Sequence, residues 1–213
     1  MSYAITVSKL SKIKLFVVLM AICTLASAAD GLFGIDHVVS KDDSGIWSRN
    51  NQLLLQSVSA AVVLGGAAYE GNETRLGRTY WKAFDSMMFT AVGSTALKYT
   101  FQRKRPSDGG DPNAWFQGSG NTSFPSGEVA HITSIVTPFI AEYHEDNPAV
   151  WGLLALPLYD GVARLKSQAH WQSDVLAGMA LGAAVGLYAS GRENSWFASV
   201  LPGGFSVGYR YRF

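Results

Sequence analysis

The stretch ARLKSQAHWQSDVLAGMALGAAVG, residues 163–186, joins a polar cluster to an apolar helical pattern and governs how the rest of the chain is read. Its first half brings together a guanidinium at Arg164, an imidazole at His170 and a carboxylate at Asp174. On one helix His170 and Asp174 stand four residues apart and share a face, so the carboxylate holds one ring nitrogen and leaves the other for a substrate. That is the arrangement of an oriented nucleophile or base. It is also what a solvated i,i+4 ion pair looks like, and the stretch alone leaves both open. The second half carries Gly178, Gly182 and Gly186, again four apart, along which another helix can approach closely.

Outward from that stretch the helical pattern recurs. Residues 52–69 read as a buried helix, 79–101 as a second, 127–143 and 149–165 as two more, and 171–190 as the last long one. The sum predicts an all-α bundle of five or six helices. Lys82, Asp85 and Lys98 interrupt the second helix with charges that a lipid-facing span would not readily accept. With 15% charged residues and a mean hydropathy of +0.11, they favour a soluble bundle over a polytopic membrane protein. Residues 102–124 are rich in Gly, Asp, Asn, Ser and Pro; a loop of that length inside a compact domain is usually functional or disordered, and the basic residues before it with Pro-Ser-Gly after it favour the functional reading. After the bundle, Pro202-Gly203-Gly204 signals a turn and Phe205, Val207, Tyr209, Tyr211 and Phe213 alternate, so residues 195–213 are expected to form a strand or short hairpin.

At the other end Lys9, Lys12 and Lys14 precede the apolar residues 15–25 and the small-residue site Ala26-Ser27-Ala28. This is the pattern of a secretory signal peptide over residues 1–28, and the apolar run is short for a span of about 20 residues. It predicts export to the periplasm, with a membrane-bound protein whose site faces the periplasm as the alternative, and a helical domain over residues 29–194 that opens with a polar arm, 29–49. The sole cysteine, Cys23, lies inside the apolar run, so cleavage leaves no thiol for a disulfide. A net charge of +1 without a long charged run argues against a nucleic-acid partner.

Two further clusters flank the long loop. Lys98 and Arg105 precede it, seven residues apart and so on one face of a helix that Pro106 ends. Ser126 and Gly127 follow it, at a helix start whose free N–H groups suit an anion. Each alone reads as ordinary capping. Together with Arg164, His170 and Asp174 they are what gripping a phosphate and attacking it requires.

With those residues in view, the chain resembles the superfamily of type 2 phosphatidic acid phosphatases, class A acid phosphatases and vanadium haloperoxidases, whose signatures are K-x6-R-P, P-S-G-H and S-R-x5-H-x3-D. The first is complete from Lys98 to Pro106, and the third runs from Arg164 through His170 to Asp174 with Ala163 in place of Ser. The resemblance covers about residues 79–190. It implies His170 as a nucleophile forming a phosphohistidine, Asp174 as its orienting partner, and Lys98, Arg105 and Arg164 as phosphate ligands, with Ser126 and Gly127 adding hydrogen bonds. It implies no metal and no cofactor, with vanadate acting only as a phosphate mimic. The expected substrate is a phosphorylated small molecule or a lipid-linked phosphate or diphosphate, with contact at a membrane surface. A vanadate-dependent haloperoxidase is the less favoured enzyme, being normally a much longer chain.

The second signature departs. Glu128 stands where the family has the His that protonates the leaving oxygen. Glu128 as a general acid needs a raised pKa, which nearby cations oppose. His131, one turn on, is a substitute or a satisfied helix histidine. A phosphate-binding module with poor turnover is the reading from outside enzymology. His37 and His144 fall outside every signature and read as surface residues, while Trp115 and Phe116 either wall a substrate tail or pin the loop.

Overall fold

The computed structural model describes Gly31, residues 34–192, and the backbone of 196–201 and 204–209. The expected signal peptide lies outside the described residues. Among the described residues five helices make up the bundle: α1 (Arg49–Glu70), α2 (Arg75–Phe101), α3 (Gly127–Tyr143), α4 (Ala155–Lys166) and α5 (Gln172–Ser190). Short 3-10 turns cover Gly45–Trp47, Pro106–Asp108 and Pro148–Leu154, the last taking the first part of the helix expected over 149–165. Two strands, β1 (Trp196–Leu201) and β2 (Gly204–Tyr209), pair antiparallel. Their turn and both flanks lie outside the described residues, so the terminal hairpin stays an expectation.

Helix α3 is the centre of the bundle. Val129, Ala130, Ile132, Val136 and Ile140 are buried along it, and α5, α2, α4 and α1 all pack on it. The glycine stripe of α5 sets the closest of these contacts. A Cβ at Gly178 would stand 2.5 Å from the Ser126 carbonyl oxygen, one at Gly182 2.3 Å from that of Ala130, and one at Gly186 2.5 Å from Thr137 Cβ. The backbones of α3 and α5 therefore touch with nothing between them.

Between α1 and α2 the turn is equally tight. Gly71 adopts φ +65° to end α1, Thr74 Oγ1 accepts from the Gly77 N–H at 2.9 Å to start α2, and a Cβ at Gly77 would collide with Gly71 O at 2.3 Å. At its other end α2 stops at Phe101, because Gln102 takes a left-handed conformation at φ 45°. Lys98 and Arg105 are therefore not on one helix as the seven-residue spacing predicts; Arg105 lies in extended chain beyond it.

The expectation of a buried first helix is corrected. In α1 only Gln52, Val63 and Ala67 are buried, while Leu53, Leu54, Val58, Val62 and Leu64 are exposed. Leu176 and Leu187 of α5 are exposed too, and both helices are long and apolar enough to cross a membrane. The charges of α2 do not oppose this. Asp85 is buried, Lys82 lies 3.7 Å from Glu142, and Lys98 turns to the loop on the inner side. A period of 3.6 marks a helix with one apolar face but does not say whether that face meets protein or lipid.

Candidate active site

The site lies where four chain segments meet: the last turn of α2 with the chain after it, the first turn of α3, the last turn of α4, and the junction before α5. Ser126 is the residue that caps α3, yet its side chain makes no capping hydrogen bond, and Ser126 Oγ is buried without a partner. The hydroxyl and the free N–H groups of the first turn of α3 are thus left as donors. Gly127 lies against Lys98: a Cβ there would come within 3.3 Å of Lys98 Cε. The Lys98 ammonium donates to the carbonyls of Thr122 at 2.6 Å and Pro125 at 2.8 Å, which leaves one N–H.

His170 is not on the helix with Asp174. Helix α4 ends at Lys166, Gln168 just beyond it turns left-handed at φ 54°, and Trp171 is the residue before α5, so His170 occupies the bend between them. It is 4% exposed, and Nδ1 sits 2.7 Å from the carbonyl oxygen of Ser123. A carbonyl only accepts, so Nδ1 carries the hydrogen and Nε2 of the neutral ring keeps its lone pair. Asp174 Oδ2 is farther from Nδ1, at 3.8 Å.

Asp174 is engaged elsewhere. It accepts from Arg103 Nη1 at 2.7 Å, from Ser123 Oγ, and from the Trp171 N–H at 3.0 Å. Arg103, fully buried, also donates to Asp36 Oδ2 at 2.6 Å and Ser173 Oγ at 2.8 Å, and its guanidinium lies 4.2 Å from the Trp115 ring centroid. Asp36, from the leading arm, accepts from the Ser173 N–H at 2.8 Å. One buried charge network thereby ties the arm, the long loop and the start of α5 together, and Ser123 links it to His170.

Trp115 packs edge-on against Phe101 and Phe124, so it pins the loop, whereas Phe116 is exposed. His37 and His144 are exposed as expected. His131 is half-buried with Nδ1 2.6 Å from Gln56 Oε1, and Gln56 Nε2 donates toward Asp160 Oδ2 at 3.3 Å.

Arg164 Nη1 donates to Gln52 Oε1 at 2.7 Å and lies 3.4 Å from Glu128 Oε2, while its Nε is buried without a partner. Arg105 makes a single 3.5 Å contact, to Thr122 Oγ1, and has no acidic partner among the described residues. Glu128 is held by Arg49, whose Nη1 and Nη2 donate to its two oxygens at 2.7 and 2.8 Å. Burial alone would push the Glu128 carboxyl up, but the Arg49 hydrogen bonds and the charge of Arg164 outweigh it and leave it below its ordinary value. Glu128 is a carboxylate here.

His170 is pushed down to about 4, by burial first and then by Arg164 and Lys98, against the opposing pull of Asp174. Burial, then Arg105, lowers Lys98 to about 8. A neutral imidazole thus faces a group of cations, two of whose neighbouring donors, Ser126 Oγ and Arg164 Nε, are unsatisfied. Such an arrangement fits a tetrahedral oxyanion and an in-line attack on it.

The model of the family described as the PAP2 superfamily matches residues 79–195, a span that includes every one of these groups except Asp36, His37, Arg49, Gln52 and Gln56. The chain belongs to the PAP2 superfamily. This PAP2 member is similar to a lipid A 1-phosphatase of Porphyromonas gingivalis, at 29% identity over 168 residues that make up 76% of this chain. It spans only 33% of the length of that relative. Its fold is similar to the crystal structure of Aquifex aeolicus LpxE, with a TM-score of 0.50 over 66% of this chain and 83% of that one, at 19% identity.

Sequence reasoning named Lys98, Arg105, Ser126, Gly127, Glu128, Arg164, His170 and Asp174, and all of them line this one region. It missed Arg103, Asp36, Ser123 as the partner of His170, and the two α1 residues Arg49 and Gln52. Arg103 and Ser123 sit within or beside motifs already recognised; Asp36 and α1 carry no local signal.

Proposed function

We propose that this PAP2 member is a phosphate-ester hydrolase that acts on a lipid-linked phosphate at a membrane surface through a phosphohistidine on His170. The observation that carries this reading is the buried His170 ring, with its Nδ1 hydrogen committed to Ser123 O and its Nε2 free, beside the unsatisfied Ser126 Oγ and Arg164 Nε. Lys98, Arg105 and Arg164 neutralise the nonbridging oxygens, and the first-turn N–H groups of α3 add hydrogen bonds. Nε2 attacks phosphorus as the bond to the leaving oxygen breaks. Water then displaces phosphate from the ring. Every step is assigned to side chains and water, without a metal.

The lipid part of the reading is supported by the exposed apolar faces of α1 and α5 and by the named activity of the Porphyromonas relative. Those two helices would lie in the bilayer, with the site at its periplasmic surface. A phosphate-binding module with weak turnover is the second reading, favoured by the ion pairing of Glu128, which withdraws the expected proton donor. The test is phosphate release in detergent micelles with a chelator present, from soluble and lipid phosphates. His170→Ala is expected to lower turnover to background with the thermal transition retained. Wild-type turnover in a folded His170→Ala protein would remove the nucleophile, and no release by the wild type would leave the binding module.

A further inference from the structure

The buried charges around Arg103 do not cancel. Asp174 accepts at Oδ1 from Arg103 Nη1 and at Oδ2 from Ser123 Oγ and the Trp171 N–H. Asp36 accepts at Oδ1 from the Ser173 N–H at 2.8 Å, and at Oδ2 from Arg103 Nη2 at 2.6 Å and Ser173 Oγ at 2.7 Å. Every one of these oxygens faces a donor, so both acids are carboxylates and share one guanidinium. All three side chains are fully buried, and together they keep one negative charge. Asp174 alone would neutralise Arg103, and a second buried carboxylate without a cation of its own is costly.

The leading arm brings Asp36 there along the bend that carries His170. Gln172 exchanges two hydrogen bonds with the His37 backbone, both at 3.0 Å, Gln168 Nε2 donates to Val39 O at 2.7 Å, and the Asp42 N–H donates to Lys166 O at 2.9 Å. Asp36 also lies outside the span that the family model matches. The other charges around the His170 ring are the cations Lys98 and Arg164, with Arg105 beside them, and Glu128, which Arg49 holds. The ring is neutral before an attack by Nε2 and positive after it, because Nδ1 keeps its hydrogen. That charge forms among cations, and the surplus negative charge lies on the Nδ1 side, where Asp174 Oδ2 is 3.8 Å away.

Resting on the reading of His170 as nucleophile, we propose that Asp36 is a positioning residue whose charge, acting through Arg103 and Asp174, stabilises the positive ring of the phosphohistidine. Without Asp36, Asp174 and Arg103 cancel and the ring faces a neutral pair. In the first step Nε2 bonds to phosphorus and the P–O bond breaks with its electron pair on the departing oxygen. This step charges the ring, and Asp36 speeds it. In the second step a water oxygen bonds to phosphorus, the P–N electrons return to Nε2, and both water hydrogens leave on the orthophosphate. This step discharges the ring, and Asp36 slows it. A residue that only holds the fold would help both steps alike.

The test uses the full chain in detergent with radiolabelled 4-nitrophenyl phosphate, whose phenolate leaves without a proton. Nitrophenolate release in kcat/KM reads the first step, and decay of the labelled phosphoprotein, quenched in alkali, reads the second. Asp36→Asn keeps an acceptor for the Ser173 N–H. It should lower kcat/KM by about 10-fold and speed the decay by about as much, the worth of one charge roughly 10 Å away in a protein interior. Inhibition by inorganic phosphate should be unchanged, because the cations that hold the anion stay in place. Asp36→Glu, which keeps the charge, should recover part of the first step, and Asp36→Ser is a second neutral variant with room for water. Slowing of both steps together, weaker phosphate inhibition, or no change in the first step would overturn the proposal. So would loss of the fold in both neutral variants, which would leave Asp36 to stability alone. These outcomes leave the phosphatase reading standing. It falls separately, if the wild type releases phosphate from no substrate or His170→Ala remains active.

Discussion

Replacing Gly178 by alanine tests whether the close approach of α5 to α3 sets the geometry of the site. An added Cβ would stand 2.5 Å from the Ser126 carbonyl oxygen and 3.4 Å from the Ala130 nitrogen, both backbone atoms that no rotamer change can move. Restoring an ordinary contact requires Ser126 to retreat from α5 by about 1 Å. Ser126 is also bonded to α5 through its N–H, which donates to Asp174 O at 2.9 Å, so the strain falls on that junction. Overpacking of this kind costs about 1–3 kcal/mol, while the better helix propensity of alanine returns about 1 kcal/mol. The thermal transition should therefore fall by only a few degrees. Turnover should fall much further, by about 100-fold, because Ser126 Oγ and the Gly127 amide move by about 1 Å relative to His170. The assay is kcat on a soluble phosphate beside a melting curve, with Gly93→Ala as control, since its nearest neighbour is the flexible Leu181 Cδ1 at 3.7 Å. Wild-type turnover in a folded Gly178→Ala protein would refute the reasoning.

Asp36→Ala should destabilise the fold by about 3–5 kcal/mol in denaturant unfolding, because it leaves the fully buried Arg103 with one carboxylate instead of two; an unchanged midpoint would show that the arm does not hold the site. The profile of kcat/KM against pH should fall as pH drops through about 4, where the His170 ring becomes charged and loses its lone pair, and as pH rises past about 8, where Lys98 loses its charge. Lys98→Arg should shift only the alkaline limb upward, and Glu128→Gln should move neither; an acid limb that follows Glu128 would return it to the role of general acid. Arg105→Ala and Arg164→Ala should each weaken vanadate inhibition by about 10- to 100-fold, the worth of a charge-assisted hydrogen bond. Unchanged inhibition in both would place the anion elsewhere.

The helices were legible because each is a long run without strand-like alternation, bounded by polar turns, and α3 over residues 127–143 starts and stops where its sequence says. Their ends were less so. Nothing in Lys98-to-Pro106 announces that Gln102 turns left-handed and ends α2 four residues before the proline. The glycine stripe was readable for a different reason: a residue without a Cβ at every fourth position of a helix has few uses besides close packing, and α3 is what it packs against.

The site divides along the same physical line. The cations, the proposed nucleophile and the helix start fall in three short motifs, so spacing along the chain is enough to assemble them. The groups that aim and tune them are not. His170 is oriented by a backbone carbonyl, which every residue possesses and no sequence pattern marks, and Asp174 is set by Arg103 together with an aspartate from the leading arm. Glu128 shows the cost of reading a motif position without its partner. At that position alone a glutamate substitutes one potential acid for another, and burial by itself would favour the protonated form. The partner that reverses this, Arg49, is 79 residues away on a helix whose sequence advertises only its apolar face. Its bidentate hold keeps Glu128 ionised.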